Sequence, residues 1–174
     1  MEEQIRTLRL EIDKLINSTY RLNNSAEITL CMRQLQRAKA WLGMVLGGLG
    51  TPTPYGSSTD PSSPVIEEQA EHKFETIWDG IDVSSATQTS CVKLFRKEIE
   101  EFLSRFDRVF PASEMYDIPG VWTENHLIFS RCSMIEAKHW LGWELNRIKN
   151  VKEYEKSVEG GTVVSSPGFQ PMPL

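Results

Sequence analysis

Residues 38–43 read AKAWLG and residues 137–142 read AKHWLG. One chain of 174 residues carries nearly the same tryptophan-centred hexapeptide twice, at an offset of 99. The match extends outward, with Leu35 aligned to Met134, Leu46 to Leu145 and Leu49 to Ile148. Upstream, LRLEIDKLI (8–16) aligns with FRKEIEEFL (95–103) at an offset of 87, with Arg, Glu and Ile coincident. The two offsets differ by the extra length of the second connection, FPASEMYDIPGVW (110–122) and its flanks. Two matched segments in one order read as an internal repeat.

Each copy has the periodicity of paired helices. Ile5, Leu8, Ile12 and Leu15 step by three and four, so a helix is expected from about Glu3 to Thr19. Ser25 is placed to cap a second helix whose stripe is Ile28, Cys31, Leu35, Ala38, Leu42, Val45 and Leu49. The glycines of GGLG (47–50) supply its stop. Val92, Phe95, Ile99, Phe102 and Phe106 mark a third helix over about 88–109, with Ser85 or Thr87 as its cap. A fourth is expected from about Thr123 to Tyr154, on the stripe Leu127, Met134, Ala137, Leu141, Leu145 and Ile148.

The expectation is an all-α fold of two antiparallel helical hairpins in a bundle. Residues 1–50 form the first hairpin and 88–156 the second. Residues 51–87 are a Pro/Ser-rich linker with a short helix ending near Gly80, and 157–174 a flexible tail. Neither hairpin covers its own apolar stripe on more than one side, so a homo-oligomer is expected.

Composition narrows the function. With 40% hydrophobic and 25% charged residues, the chain can build a core. A net charge of −5 argues against a DNA or RNA polymer or a membrane surface as partner. It leaves room for a small anion, which needs only a few local cations. Cys31, Cys91 and Cys132 are dispersed and odd in number, which points away from a disulfide scaffold or zinc site and toward a reducing, cytoplasmic setting. The N-terminus MEEQIRTLRL has no signal-peptide core, and no apolar run reaches the ~20 residues of a membrane span.

The repeated residues admit two readings each. Trp41 and Trp140 are packing residues or walls on which a base stacks. Lys39 and Lys138 are solvated lysines lying along apolar surface, or phosphate ligands. Arg33 and Arg37 join Lys39 in the first copy; the second keeps Arg131 and Lys138 but puts Glu136 where the first has Arg37. Gly43 and Gly142 lie inside helices, where glycine costs ~1 kcal/mol relative to alanine, so a close approach is expected at both. Glu136 and His139 form E-x-x-H, but the first copy has Arg37 and Ala40 there, so the four-helix metal constellation is absent. Glu67, Glu68 and Glu71 resemble the E-E-x-x-E of all-α, magnesium-dependent nucleotide pyrophosphatases; the matching E-x-x-D would be Glu114 to Asp117, on a proline-flanked loop.

The stretch SAEITLCMRQLQRAKAWLGMVLGGLG (25–50), followed by TPYGSSTDPSSPVIEEQAE (53–71), resembles a hairpin domain of bacteriophage proteins. It is the hairpin of phage sponges for cyclic-oligonucleotide immune signals (anti-CBASS proteins) and of relatives that sequester cyclic ADP-ribose signals (anti-Thoeris proteins). The resemblance covers about residues 5–71, and residues 90–150 mainly through the repeat. It implies a non-enzymatic oligomer that holds a cyclic nucleotide between packed hairpins, with no cofactor. It further implies basic residues for phosphate and an aromatic for the base. The matching candidates are Arg33, Arg37, Lys39 and Trp41, with Arg131, Lys138 and Trp140 in the second copy. Tyr20 and Tyr55 are the candidates for the family's stacking tyrosine, and the second copy has a counterpart to neither. A purely structural interaction module and the pyrophosphatase are the rival readings.

Overall fold

The computed structural model describes residues 1–50, 75–111 and 121–159, with side chains from Asn125 to Val158 in the last of these. The described residues hold four helices and no strand: α1 (Glu2–Thr19), α2 (Ala26–Gly48), α3 (Gln88–Val109) and α4 (Val121–Glu159). The linker expected over 51–87 is described only from Glu75 on, where it forms a turn rather than a helix end. The fourth helix begins two residues before Thr123 and runs through Glu159, so residues 157–159 of the expected tail are helical. The rest of that tail, and Pro119 and Gly120, lie outside the described residues.

The helix boundaries have local causes. Ser25 is extended and its hydroxyl accepts the Ile28 amide at 3.1 Å, satisfying an orphan donor of the first turn of α2. Thr87 does the same for Ser90 at 3.2 Å and is the cap of α3. After α2, Gly50 takes φ +80, a left-handed stop that a side chain would resist.

α1 packs on α2, α3 on α4 and α1 on α3, while the most extensive contact is between α2 and α4. α2 and α4 run antiparallel. The Ser25 hydroxyl donates to Glu144 at 3.0 Å, and the Ser130 hydroxyl donates to the Ala38 carbonyl at 3.0 Å. Both contacts set the same register, which brings Leu35 level with Met134, its aligned partner in the sequence. The core lies between the four helices, with Phe95, Phe102, Phe106, Ile12, Leu35 and Leu42 all fully buried. Each such side chain contributes ~1.5–3 kcal/mol by leaving water.

Residues 75–80 are fastened to the end of α1. Asn17 donates to the Glu75 carbonyl at 3.2 Å, and the Ile77 amide donates to the Ser18 hydroxyl at 2.8 Å. The Trp78 indole donates to the Ser18 carbonyl at 2.9 Å and stacks on Phe95 at 6.3 Å between ring centroids. Trp78 is thus a core residue contributed by the connector.

Candidate functional site

Helical spacing spreads the sequence candidates over two surfaces. On the side of α2 that faces α1, Lys39 is ion-paired with Asp13. On the side of α4 that faces α3, Lys138 pairs with Glu100 at 2.9 Å. Asp13 and Glu100 are separated by the same 87 residues, and the two lysines by the same 99, that relate the sequence segments. The Lys138 ammonium holds the Glu100 carboxyl below its ordinary range. Arg131 makes a two-pronged bond to Asp107 at 2.7 and 3.0 Å, which raises its own pKa further. The charges of Lys39, Arg131 and Lys138 therefore each meet a carboxylate of the adjacent helix.

Arg33 and Arg37 are placed differently. They lie on the solvent side of α2, both exposed, and among the described residues neither has an ion-pair partner. Trp41 follows Arg37 by one helical turn, so the three side chains share one edge of the helix. Trp41 is half-buried and backed by α4. Its ring stacks on His126 at 5.3 Å with an interplanar angle of 20°, and meets Phe129 at 5.0 Å and 45°. His126 carries a buried Nδ1 with no hydrogen-bond partner among the described residues, and Phe129 is 47% exposed. The surface is an aromatic cluster, or platform, with two exposed guanidinium groups one and two turns before Trp41 on α2. Such an arrangement attracts a planar ring bearing anionic groups.

The second copy does not repeat this surface. Cys132 and Glu136 stand where α2 has Arg33 and Arg37, and Trp140 is half-buried against the core. Tyr20 is exposed at the end of α1, and Tyr55 lies outside the described residues, as do Glu67, Glu68, Glu71, Glu114 and Asp117. Of the two helix-interior glycines, only Gly43 is closely approached. A Cβ there would meet the Arg9 guanidinium at 3.4 Å, whereas one at Gly142 would meet nothing within 4 Å. The close approach expected at Gly142 is absent, because no counterpart of the Arg9 guanidinium reaches it.

His126 and Phe129 were not legible as site residues from the repeat, which aligns them with Glu27 and Leu30. The signal that finds them is the antiparallel register of α2 and α4. Among the described residues, no group of His, Cys, Asp and Glu is arranged to hold a metal, and no helix is long and apolar enough to cross a membrane. Cys31 is buried and its thiol is pushed up to about 12 by desolvation, so it is a packing residue rather than a nucleophile. No protein-family model matches the chain, and no curated protein and no solved structure matches it.

Proposed function

We propose that the chain is a tandem of two helical hairpins of one design that sequesters a cyclic nucleotide second messenger without cleaving it. In this reading it is a phage anti-defence protein that blocks CBASS or Thoeris signalling in the host cytoplasm. The observation that carries the proposal is the alignment of Arg33, Arg37 and Trp41 along one edge of α2, with Trp41 stacked on His126. A cyclic dinucleotide or cyclic ADP-ribose presents two anionic phosphate groups and at least one flat base. Two guanidinium forks suit the phosphates. The indole offers a face on which a base gains ~1–3 kcal/mol. The resemblance over residues 5–71 points to the same ligand class.

The lysines take a supporting role here. Lys39 and Lys138 tie each helix pair together through Asp13 and Glu100, and so hold the platform rigid. Rigidity matters because tight retention requires a preorganised surface and slow release. An open platform cannot enclose a ligand by itself, since small-molecule sites bury most of the ligand surface. Retention in this reading therefore involves a further wall, supplied by an oligomer.

The test is release by denaturation. The full chain is incubated with a panel of cyclic di- and trinucleotides and cyclic ADP-ribose isomers, freed of unbound nucleotide, and then denatured. An intact nucleotide recovered only after denaturation is the expected result. A converted nucleotide would favour a nucleotide hydrolase, and no retained nucleotide from any member of the panel would leave a structural module.

A further inference from the structure

The large apolar side chains exposed to solvent are not spread evenly around the four helices. α1 and α3 present none within their spans, whereas α2 presents Met44 (53% exposed) and α4 presents Phe129 (47%) and Trp143 (63%). These residues share the outer face of the α2–α4 pair, with half-buried Trp41 and Trp140 between them. On α4 the stripe continues. Phe129, Glu136, Trp143, Val151, Tyr154 and Val158 follow one another in steps that keep to one helical edge. Ser25, the cap of α2, is level with Glu144, so α4 runs on well past the start of α2. Over that projecting end Val151, Tyr154 and Val158 are exposed at 44, 71 and 61%. An exposed tryptophan and a projecting helix with an apolar edge mark a surface for association.

Charge on the same face selects the occupant. The register of α2 against α4 sets Glu136 level with Arg33, and both are exposed. Among the described residues neither has an ion-pair partner. Two copies related by a two-fold axis along the helices place Arg33 of each against Glu136 of the other. A two-fold axis across the helices would instead set α2 against α2 and α4 against α4, and so would not bring Arg33 and Glu136 together. The axis along the helices also brings the two projecting ends of α4 side by side and parallel. Val151, Tyr154 and Val158 then line the strip between the two ends, in steps of three and four residues. The area is sufficient. A face about 35 Å long and two helices wide offers about 700 Å² per copy, near the ~800 Å² of a stable interface, before the projecting ends are added.

We propose that the outer face of α2 and α4 is the surface on which a second copy of this chain docks, with the two-fold axis along the helices. The inference shares Arg33 and Trp41 with the nucleotide reading and would supply the wall that reading requires, but it is tested on nucleotide-free protein, so the failure of one is distinguishable from the failure of the other. Sedimentation velocity of the full chain over a wide concentration range should show a species of at least twice the 19.9 kDa chain mass. Glu136→Arg should return it to a single chain, with circular dichroism unchanged. Combining it with Arg33→Glu should restore assembly, and Tyr154→Glu should weaken assembly at least tenfold. A single-chain wild type at every concentration overturns the proposal. So does an assembly indifferent to Glu136→Arg, or a charge exchange that fails to restore what Glu136→Arg removed.

Discussion

Lys39 reaches Asp13 across the first helix pair, and Lys138 reaches Glu100 across the second. Two residues before each lysine the pairs differ: Arg37 stands on α2 and Glu136 on α4. The same division holds along both pairs. Aligned inward positions are apolar and buried in each, as with Ile12 and Ile99, Leu15 and Phe102, and Leu42 and Leu141. Aligned outward positions have diverged in charge, as with Arg33 and Cys132. Inward residues answer to packing, which is the same problem in both pairs. Outward residues answer to whatever each surface meets. The lesson is that matched inward positions do not carry a matched surface: the edge Arg33, Arg37 and Trp41 of α2 has no counterpart on α4, which instead lends it His126 and Phe129.

Glu144 departs furthest from this rule. Val45 and Glu144 are aligned, and both are fully buried. Burial pushes the Glu144 carboxyl up, but Arg147 at 2.9 Å and the Ser25 hydroxyl outweigh this and hold it below its ordinary value. This carboxylate links the cap of α2 to α4 at the point where α4 begins to outrun it.

The comparison can be broken most severely in the core. Phe102→Ala should cost ~3–5 kcal/mol in chemical denaturation, and its aligned partner Leu15→Ala ~2–5 kcal/mol, since each leaves a cavity between the pairs. Equal losses would show both pairs to be equally well packed. Next comes Glu144. Glu144→Ala should cost ~1–3 kcal/mol, because it orphans the groups that met the carboxylate. Glu144→Val, which copies the first pair, orphans the same groups and should recover only the part of the loss that comes from the cavity. The folded carboxyl titrates below the ordinary 4.5, so its contribution is complete above that value. It is lost as pH falls through the folded value. A wild-type stability profile that steepens below pH 4.5, and flattens in Glu144→Val, is the expected signature.

Smaller effects sharpen the contrast. Gly142→Ala should stabilise by ~0.5–1 kcal/mol, since the helix gains a better former and the new methyl meets nothing. Gly43→Ala should gain less, because its methyl meets the buried Arg9 guanidinium at 3.4 Å. Equal gains in thermal or chemical denaturation would remove that difference. Lys138→Met should cost only ~0.2–1 kcal/mol, because its partner Glu100 is half exposed and the attraction is screened.

The all-helical character of the described residues, three of the helices nearly to the residue and the Ser25 cap were legible in the sequence, and Thr87 was one of two candidates for the other cap. They depend on local spacing, and on the short reach of Ser25 and Thr87 side chains to amides three residues on. The pairing of α2 with α4 was not legible, because periodicity says which edge of a helix is buried but not which helix buries it. His126 and Phe129 went unread as site residues for that reason. Lys39 and Lys138 stood out because the repeat preserves them, yet what it preserves is a contact to a carboxylate. Arg33 and Arg37 stood out through their spacing to Lys39, while their difference from Arg131 became visible only once Asp107 was seen beside the latter. The span of α4 past Tyr154 was missed because residues from Ser157 on offer too little apolar surface to bury, although Val151, Tyr154 and Val158 keep helical spacing.

The most direct measurement is the number of nucleotides bound per chain, by titration calorimetry with whichever cyclic nucleotide the release experiment identifies. A single platform at Trp41 predicts one per chain, none after Arg37→Glu, and no change after Lys138→Glu. Two per chain, or undiminished binding by the Arg37→Glu protein, would contradict it.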